Sequence, residues 1–254
     1  MTPYYEHAGI TIYHGDCREL LPTISGVNCT VTSPPYNTLG ARVPIKPSGG
    51  FGSQRLGGWV KNLHRDGYAD DMDETAYAEW QAAIAVLVRE SSVPGASFFY
   101  NHKQRSRNGR TIHPIQITDT FKGWTLRQEL VWDRGGAVQF NARMFAPCDE
   151  RIVWMFRDDG EFIWNQEYAV DLSIWRMSPP KDETGHPCPY PETLPARCIG
   201  ATTAPGDLIL DVFAGAGTTL LASKNLGRKA IGIEIEERYC EIAAKRLSQE
   251  VLAL

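Results

Sequence analysis

Two prolines end the apolar-leaning run Val27-Asn28-Cys29-Thr30-Val31-Thr32, and the stretch Thr32-Ser33-Pro34-Pro35-Tyr36-Asn37 sets the terms for the rest of the chain. The run reads as a buried strand, and neither proline can donate to a β-ladder, so the strand stops at Thr32. The pair fixes two φ angles and pushes Ser33 towards an extended conformation. What remains is a rigid turn that carries a hydroxyl, outward-facing carbonyls and an aromatic ring at a strand's carboxyl end, where open α/β sheets bind their ligands.

A second strand end has matching character. Leu208-Ile209-Leu210 leads into Asp211-Val212-Phe213-Ala214-Gly215-Ala216-Gly217-Thr218-Thr219, and a helical stretch follows from Leu220 to Leu226. Strand, glycine turn and helix start form a place where backbone can approach a ligand closely and open amides favour an anion. No Gly-Lys-Ser/Thr follows, so the loop is not a P-loop, and Leu220 stands where a dinucleotide fingerprint has its third glycine. Gly227 is a plausible C-cap, and the next strand, Ala230 to Ile235, ends near Glu234, where a ribose diol is usually held.

Together these residues resemble the S-adenosylmethionine-dependent, amino-directed DNA methyltransferases (N4-cytosine and N6-adenine). The family's catalytic tetrapeptide is matched by Ser33-Pro34-Pro35-Tyr36, and its cofactor signature by Asp211-Val212-Phe213-Ala214-Gly215-Ala216-Gly217-Thr218-Thr219, with Val212 replacing the usual proline. Further matches are His14-Gly15-Asp16-Cys17, His186 to Glu192, and Ile233-Glu234 with Tyr239 and Arg246-Leu247, so the resemblance spans nearly the whole chain. The tetrapeptide precedes the cofactor loop, the motif order of the beta class. The resemblance implies a Rossmann-like α/β fold, a mostly parallel sheet flanked by helices with an antiparallel edge. It also implies S-adenosyl-L-methionine held by Asp16, Asp211, Phe213, Ala214, Gly215, Gly217, Thr218 and Glu234, with Asp16 by the adenine amino group, Asp211 near the methionine amino group and Glu234 on the ribose. Read alone, Gly15-Asp16 is more simply a turn.

The implied reaction is methyl transfer to the exocyclic amine of a base flipped out of double-stranded DNA, and serine in first place leans towards N4 of cytosine over N6 of adenine. Such an amine is a poor nucleophile because its lone pair is delocalised into the ring. Acceptors at Ser33 Oγ and the Pro34 carbonyl can take its hydrogens, while the Tyr36 ring stacks on the base. Attack at a cytosine ring carbon needs a Pro-Cys nucleophile; Pro147-Cys148 and Pro187-Cys188 exist, but both precede the cofactor loop, against that family's order. Enzymes acting on protein or RNA amines share a similar tetrapeptide but usually carry the cofactor loop first. A non-catalytic DNA-binding protein would not need both loops.

The 254 residues, 43% hydrophobic and 22% charged, suit one methyltransferase domain over 1–254. The amino terminus has no basic-then-apolar segment, and the longest apolar stretch, Ala82 to Val88, is too short to span a bilayer, so a cytoplasmic protein without membrane contact is expected. Six scattered cysteines without a Cys-x-x-Cys pair indicate neither zinc site nor disulfide framework. A net charge of −4 hides two acid-free windows. One runs from Tyr36 to Arg65 with five cations; the other, from Phe99 to Thr118, holds Lys103, Arg105, Arg107 and Arg110. The glycine-rich segment 38–68 is expected to be a DNA-contacting loop, and about 134–185 a target-recognition segment in which Trp164, Asn165, Gln166, Trp175 and Arg176 either read bases or pack. A homodimer and a cognate restriction endonuclease stay open as further partners.

Helical spacing of Tyr77, Trp80, Ile84, Leu87 and Val88 predicts an amphipathic helix over 73–92, followed by a turn at Pro94-Gly95 and a strand over 96–100. A helix is expected over about 111–122. Strands at 126–132 and 152–156 are expected to form an antiparallel pair at the sheet's edge.

Overall fold

The structure is a computed structural model and describes residues 2–38, 72–107, 109–136, 145–168, 170–180 and 190–249. Among the described residues nine strands form one sheet: β1 (Tyr5–His7), β2 (Ile10–His14), β3 (Val27–Thr32), β4 (Ser92–His102), β7 (Thr125–Asp133), β8 (Asp149–Phe156), β9 (Ile174–Arg176), β10 (Leu208–Asp211) and β11 (Lys229–Glu234). Their spatial order is β1-β2-β11-β10-β3-β4-β8-β7-β9, and β5 (Arg105–Arg107) with β6 (Arg110–Ile112) makes a separate hairpin. Strands β2, β11, β10, β3 and β4 run parallel, whereas β8 is antiparallel to both neighbours and β1 antiparallel to β2.

Helices cover both faces. On one lie α1 (Cys17–Leu20), α2 (Glu74–Ser91) and α3 (Pro114–Thr118), burying Tyr77, Ile84, Val88 and Ile117 against Phe98, Tyr100, Val153 and Leu210. On the other lie α4 (Thr193–Thr202), α5 (Thr218–Asn225) and α6 (Glu237–Ser248), burying Leu194, Ile199, Leu220, Cys240 and Leu247 against Ile12, Val31, Phe99 and Ile209. Strands apolar on both faces are what a parallel sheet between two helix layers requires. Among the described residues no helix is long and apolar enough to cross a membrane.

Three expectations need correction. The antiparallel pair β7 and β8 forms, but β9 adds to β7 in parallel and takes the edge, because Trp175 is drawn into the core beside Trp132. Residues 111–122 hold only the five-residue α3, since Arg110–Ile112 are claimed by the hairpin and Pro114 starts the helix at its first turn. Pro94 and Gly95 lie inside β4 and not in a turn; the register with β3 shifts there, so the strand bulges and continues. The expected helix over 73–92 is α2, N-capped by Asp73, whose carboxylate accepts from the amides of Thr75 and Ala76.

Parallel direction puts the carboxyl ends of β2, β11, β10, β3 and β4 on one rim of the sheet. Antiparallel β8 begins at that rim, where Arg151 pairs with His102. Chain order reverses between the neighbours β10 and β3, which makes the crevice outside their ends the place for a ligand.

Candidate active site

The two loops read from the sequence meet at this reversal point. The Thr32 hydroxyl donates to the Asp211 carboxylate (2.7 Å), which also accepts from the Phe213 amide (3.1 Å) and the Tyr190 hydroxyl (3.2 Å). Asp211 is fully buried, and burial pushes its carboxyl above the ordinary value against the pull of those donors. It therefore bolts the proline turn to the glycine loop.

The glycine loop turns through Gly215 (φ 50°) and Gly217 (φ 76°), left-handed conformations that side chains resist. A Cβ on Gly217 would also stand 2.9 Å from the Cβ of Ala243. The Gly217 amide closes on Ala214 O (2.8 Å) and the Gly215 amide donates to Glu234 Oε2 (2.7 Å), while the Glu236 amide donates to Glu234 Oε1 (2.9 Å). Those two glycine amides are thus engaged within the protein, and the carboxylate of Glu234 stands over the loop with its pKa raised by burial. Thr218 opens α5 behind Gly217, and its hydroxyl faces Arg246 (3.4 Å). Ala214 is buried, whereas Phe213 is partly exposed and lies edge-on to Trp80 of α2, ring centroids 5.7 Å apart.

Asp16 sits at the tip of β2, tied to the end of β11 by the Gly15 amide, which donates to Glu234 O (2.9 Å). Its carboxylate caps α1 and pairs with Arg18 (2.5 Å), whose hydrogen bonds hold its pKa down. Carboxylates at 16 and 234 on adjacent strand ends, a half-exposed ring at 213 and a glycine turn between them form a donor and acceptor set suited to an adenosine with an amino-acid tail.

At the proline turn, Ser33 Oγ lies 2.7 Å from the Tyr36 hydroxyl, which donates to Glu150 Oε2 (2.8 Å). Asn101 Nδ2 donates to the Tyr36 hydroxyl (2.8 Å) and to Glu150 Oε2 (2.9 Å), and Arg134 pairs with Glu150 Oε1 (3.0 Å). Tyr36, Asn101 and Glu150 are buried; Ser33 is partly exposed. The Tyr36 ring rests 4.7 Å from the His102 ring, with Lys103 Nζ 5.4 Å from its centroid. Burial depresses His102 to about 3, so the imidazole is neutral. Its Nδ1 faces Lys103 O (2.7 Å) and therefore carries the proton, while Nε2 lies 2.9 Å from the Tyr77 oxygen. Tyr77 donates to Pro35 O (2.6 Å), so α2 fixes the second proline of the turn.

Beyond the turn, Asn37 (φ 54°) is buried, and its Nδ2 donates to Met72 O (2.9 Å) and Glu74 Oε1 (3.1 Å). Arg105 and Arg107 pair with that same Glu74 oxygen, at 2.7 and 2.9 Å. The window from Phe99 to Thr118 is acid-free in sequence only: two of its cations are neutralised from α2, and Arg105 is buried. The described part of the expected recognition segment also packs. Trp164 stacks on Trp154 (5.5 Å), Asn165 Nδ2 donates to the carbonyl of Gly200 and to that of Thr203 (3.0 Å), and Trp175 is 7% exposed, whereas Arg176 pairs with Asp133 at the surface. The segment 38–68, expected to contact DNA, lies outside the described residues apart from Thr38.

Glu150, Asn101, Arg134, His102, Tyr77 and Trp80 escape a motif reading. Asn101 and His102 close a strand that the sequence ends at residue 100, and Glu150 precedes a strand read as starting at 152. Hydrophobic patterning fades where strands reach a site, so these polar ends look like loop. Cys17, Cys29 and Cys240 are buried with thiols pushed up to about 12, and burial also raises the Cys198 thiol well above its ordinary value; Cys148 is exposed. Among the described residues no cluster of His, Cys, Asp and Glu could hold a metal ion.

Comparison with known proteins agrees with this geometry. A family model described as DNA methylase (N6_N4_Mtase) matches residues 27–245. The type II methyltransferase M.ScaI of Streptomyces caespitosus is 26% identical over 290 residues, covering 99% of this chain and 86% of that protein. The solved PvuII DNA methyltransferase (cytosine-N4-specific) superposes with a TM-score of 0.75 at 19% identity, over 99% of this chain and 90% of the other. The M1.HpyAVI–SAM complex superposes with a TM-score of 0.65 at 25% identity, over 94% of this chain and all of the other.

Proposed function

The chain belongs to the DNA methylase family that the residues 27–245 match, and from that membership we propose that it transfers a methyl group from S-adenosylmethionine to N4 of a cytosine flipped out of double-stranded DNA. It is a DNA methyltransferase of the N4-cytosine and N6-adenine family, and the cytosine assignment is the finer reading. One observation supports amine chemistry above others: Ser33 and the proline turn are held at the crevice mouth by hydrogen bonds from three directions, through Thr32 to Asp211, Pro35 to Tyr77, and Tyr36 to Glu150. Rigid acceptors aimed at an amine favour the tetrahedral nitrogen of the transition state over the planar amine of the free base.

The residues present fit the cofactor. Asp16 would accept from the adenine amino group, Glu234 from the ribose hydroxyls, and Phe213 with Trp80 would bound the apolar side; the bare Gly217 lets the loop sit against Ala243, where any Cβ would clash. S-adenosylmethionine supplies a methyl group on positively charged sulfur, already activated towards attack. Ser33 Oγ and the Pro34 carbonyl accept the amine hydrogens and turn the nitrogen lone pair towards that methyl. The Tyr36 ring would contact the extruded base, offsetting part of the stacking lost from the duplex. The type II relatives suggest a paired restriction endonuclease as biological context. The segment 38–68, with Arg42, Lys46 and Arg55, is proposed to contact DNA phosphates. Labelled cofactor with duplex DNA, followed by mass spectrometry of the nucleosides, tests the reading: N4-methylcytosine supports it, and 5-methylcytosine or unlabelled DNA contradicts it.

A further inference from the structure

We infer that Glu150 fixes the direction of the hydrogen bond between Ser33 and Tyr36, making Ser33 Oγ an obligate acceptor and so selecting an amino group over a carbonyl on the bound base. The inference rests on the reading above and deepens it. A serine hydroxyl can donate or accept, so by itself Ser33 would greet the amine of cytosine and the carbonyl of uracil or thymine alike. The protons of this network remove that freedom. Glu150, paired with Arg134 through Oε1 (3.0 Å), offers only acceptor oxygens, so the hydrogen bond at 2.8 Å must carry the proton of Tyr36. With that proton committed, the 2.7 Å contact between the two hydroxyls can only use the proton of Ser33.

Asn101 enforces the same direction. Its Nδ2 lies 2.9 Å from Glu150 Oε2 and must donate there, which also turns it as a donor towards the Tyr36 oxygen at 2.8 Å. Tyr36 thus receives two protons and gives one. Ser33 Oγ then has only lone pairs for whatever enters beside it, complementary to an amine N–H and opposed to a carbonyl oxygen. Glu150, Asn101 and Tyr36 are nearly inaccessible to water, so no solvent rearranges the protons. Glu150 does not touch the base; it is a positioning residue acting through Tyr36.

The test uses the full-length enzyme and a duplex bearing the site that the wild type methylates, carrying at the target either the amino base or its keto counterpart, uracil for cytosine or hypoxanthine for adenine. Binding is measured with S-adenosylhomocysteine present, beside the rate of methyl transfer. The wild type should prefer the amino duplex, and Glu150→Gln, whose amide can donate to Tyr36 and reverse the chain, should shrink that preference by about tenfold or more. The transfer rate should fall while S-adenosylhomocysteine affinity stays within about twofold. Tyr36→Phe, which keeps the Glu150–Arg134 pair, should shrink the preference in the same way and decides the matter if Glu150→Gln folds poorly. Unchanged amino-over-keto preference in folded variants overturns the inference and leaves the methyltransferase reading standing. A wild type that methylates no DNA amine overturns that reading, and this inference with it.

Discussion

Tyr36 holds two tasks on different atoms: its ring borders the place proposed for the base, and its hydroxyl links Ser33 to Glu150. Removing the ring with Tyr36→Ala should lower turnover severely while S-adenosylmethionine still binds, because neither task concerns the cofactor; a drop in cofactor affinity by calorimetry would contradict this. Tyr36→Phe should fall between that variant and the wild type. Ser33→Ala deletes an acceptor and should cost on the order of 10²-fold in rate, by analogy with deleting one preorganised donor. Cys148→Ser should stay active, as the amine route uses no thiolate. His102 gives the residue scale a pH signature. Its folded value of about 3 lies below the ordinary 6.5, so the folded chain binds that proton more weakly than the unfolded one. Its contribution to stability is present above about pH 6.5 and is lost as pH falls towards 3. Urea unfolding at pH 7 and pH 5 should differ by about 2 kcal/mol from this group, and His102→Gln should remove that difference.

At the scale of elements, the two signature loops were legible because each combines residues that ordinary turns do not: a double proline after a buried strand, and glycines between a strand and a helix. Helix α2 was legible by spacing and by the Asp73 cap. What the sequence could not reveal is what α2 does at the site. Its Tyr77 reaches Pro35, its Trp80 meets Phe213, and its Glu74 gathers Asn37, Arg105 and Arg107, an arrangement that depends on the crossover from β3 to β4. Acid-free windows therefore mislead when their counter-charges arrive from another element. Glu74→Ala would leave Arg105 buried and unpaired, and should cost on the order of 2 kcal/mol of stability, a discounted figure because Glu74 itself is partly exposed. An unchanged thermal midpoint would contradict the clamp. Gly217→Val combines φ 76° with a Cβ pressed on Ala243 and should abolish cofactor binding and lower the midpoint as well.

For the molecule as a whole, the parallel order of β2, β11, β10, β3 and β4 explains why motifs separated by nearly 180 residues along the chain converge. The antiparallel β8 then brings Glu150 to the same rim from a third region, and no motif announces it. The role of residues 134–185 was not legible because aromatics serve packing and base recognition alike; Trp164 and Trp175 are given to packing. On this scale DNA binding should depend on salt. Neutralising Arg42, Lys46 and Arg55 together should flatten the log–log dependence by roughly 0.9 for each phosphate those side chains neutralise, without changing cofactor affinity. The central claim, methyl transfer to an exocyclic amine governed by Ser33-Pro34-Pro35-Tyr36, is tested most directly by digesting duplex DNA after reaction with methyl-labelled S-adenosylmethionine and identifying the labelled nucleoside by mass spectrometry. The label should appear in N4-methylcytosine and disappear with Ser33→Ala; label in 5-methylcytosine, trapped as a covalent adduct by a fluorinated cytosine, would contradict the account.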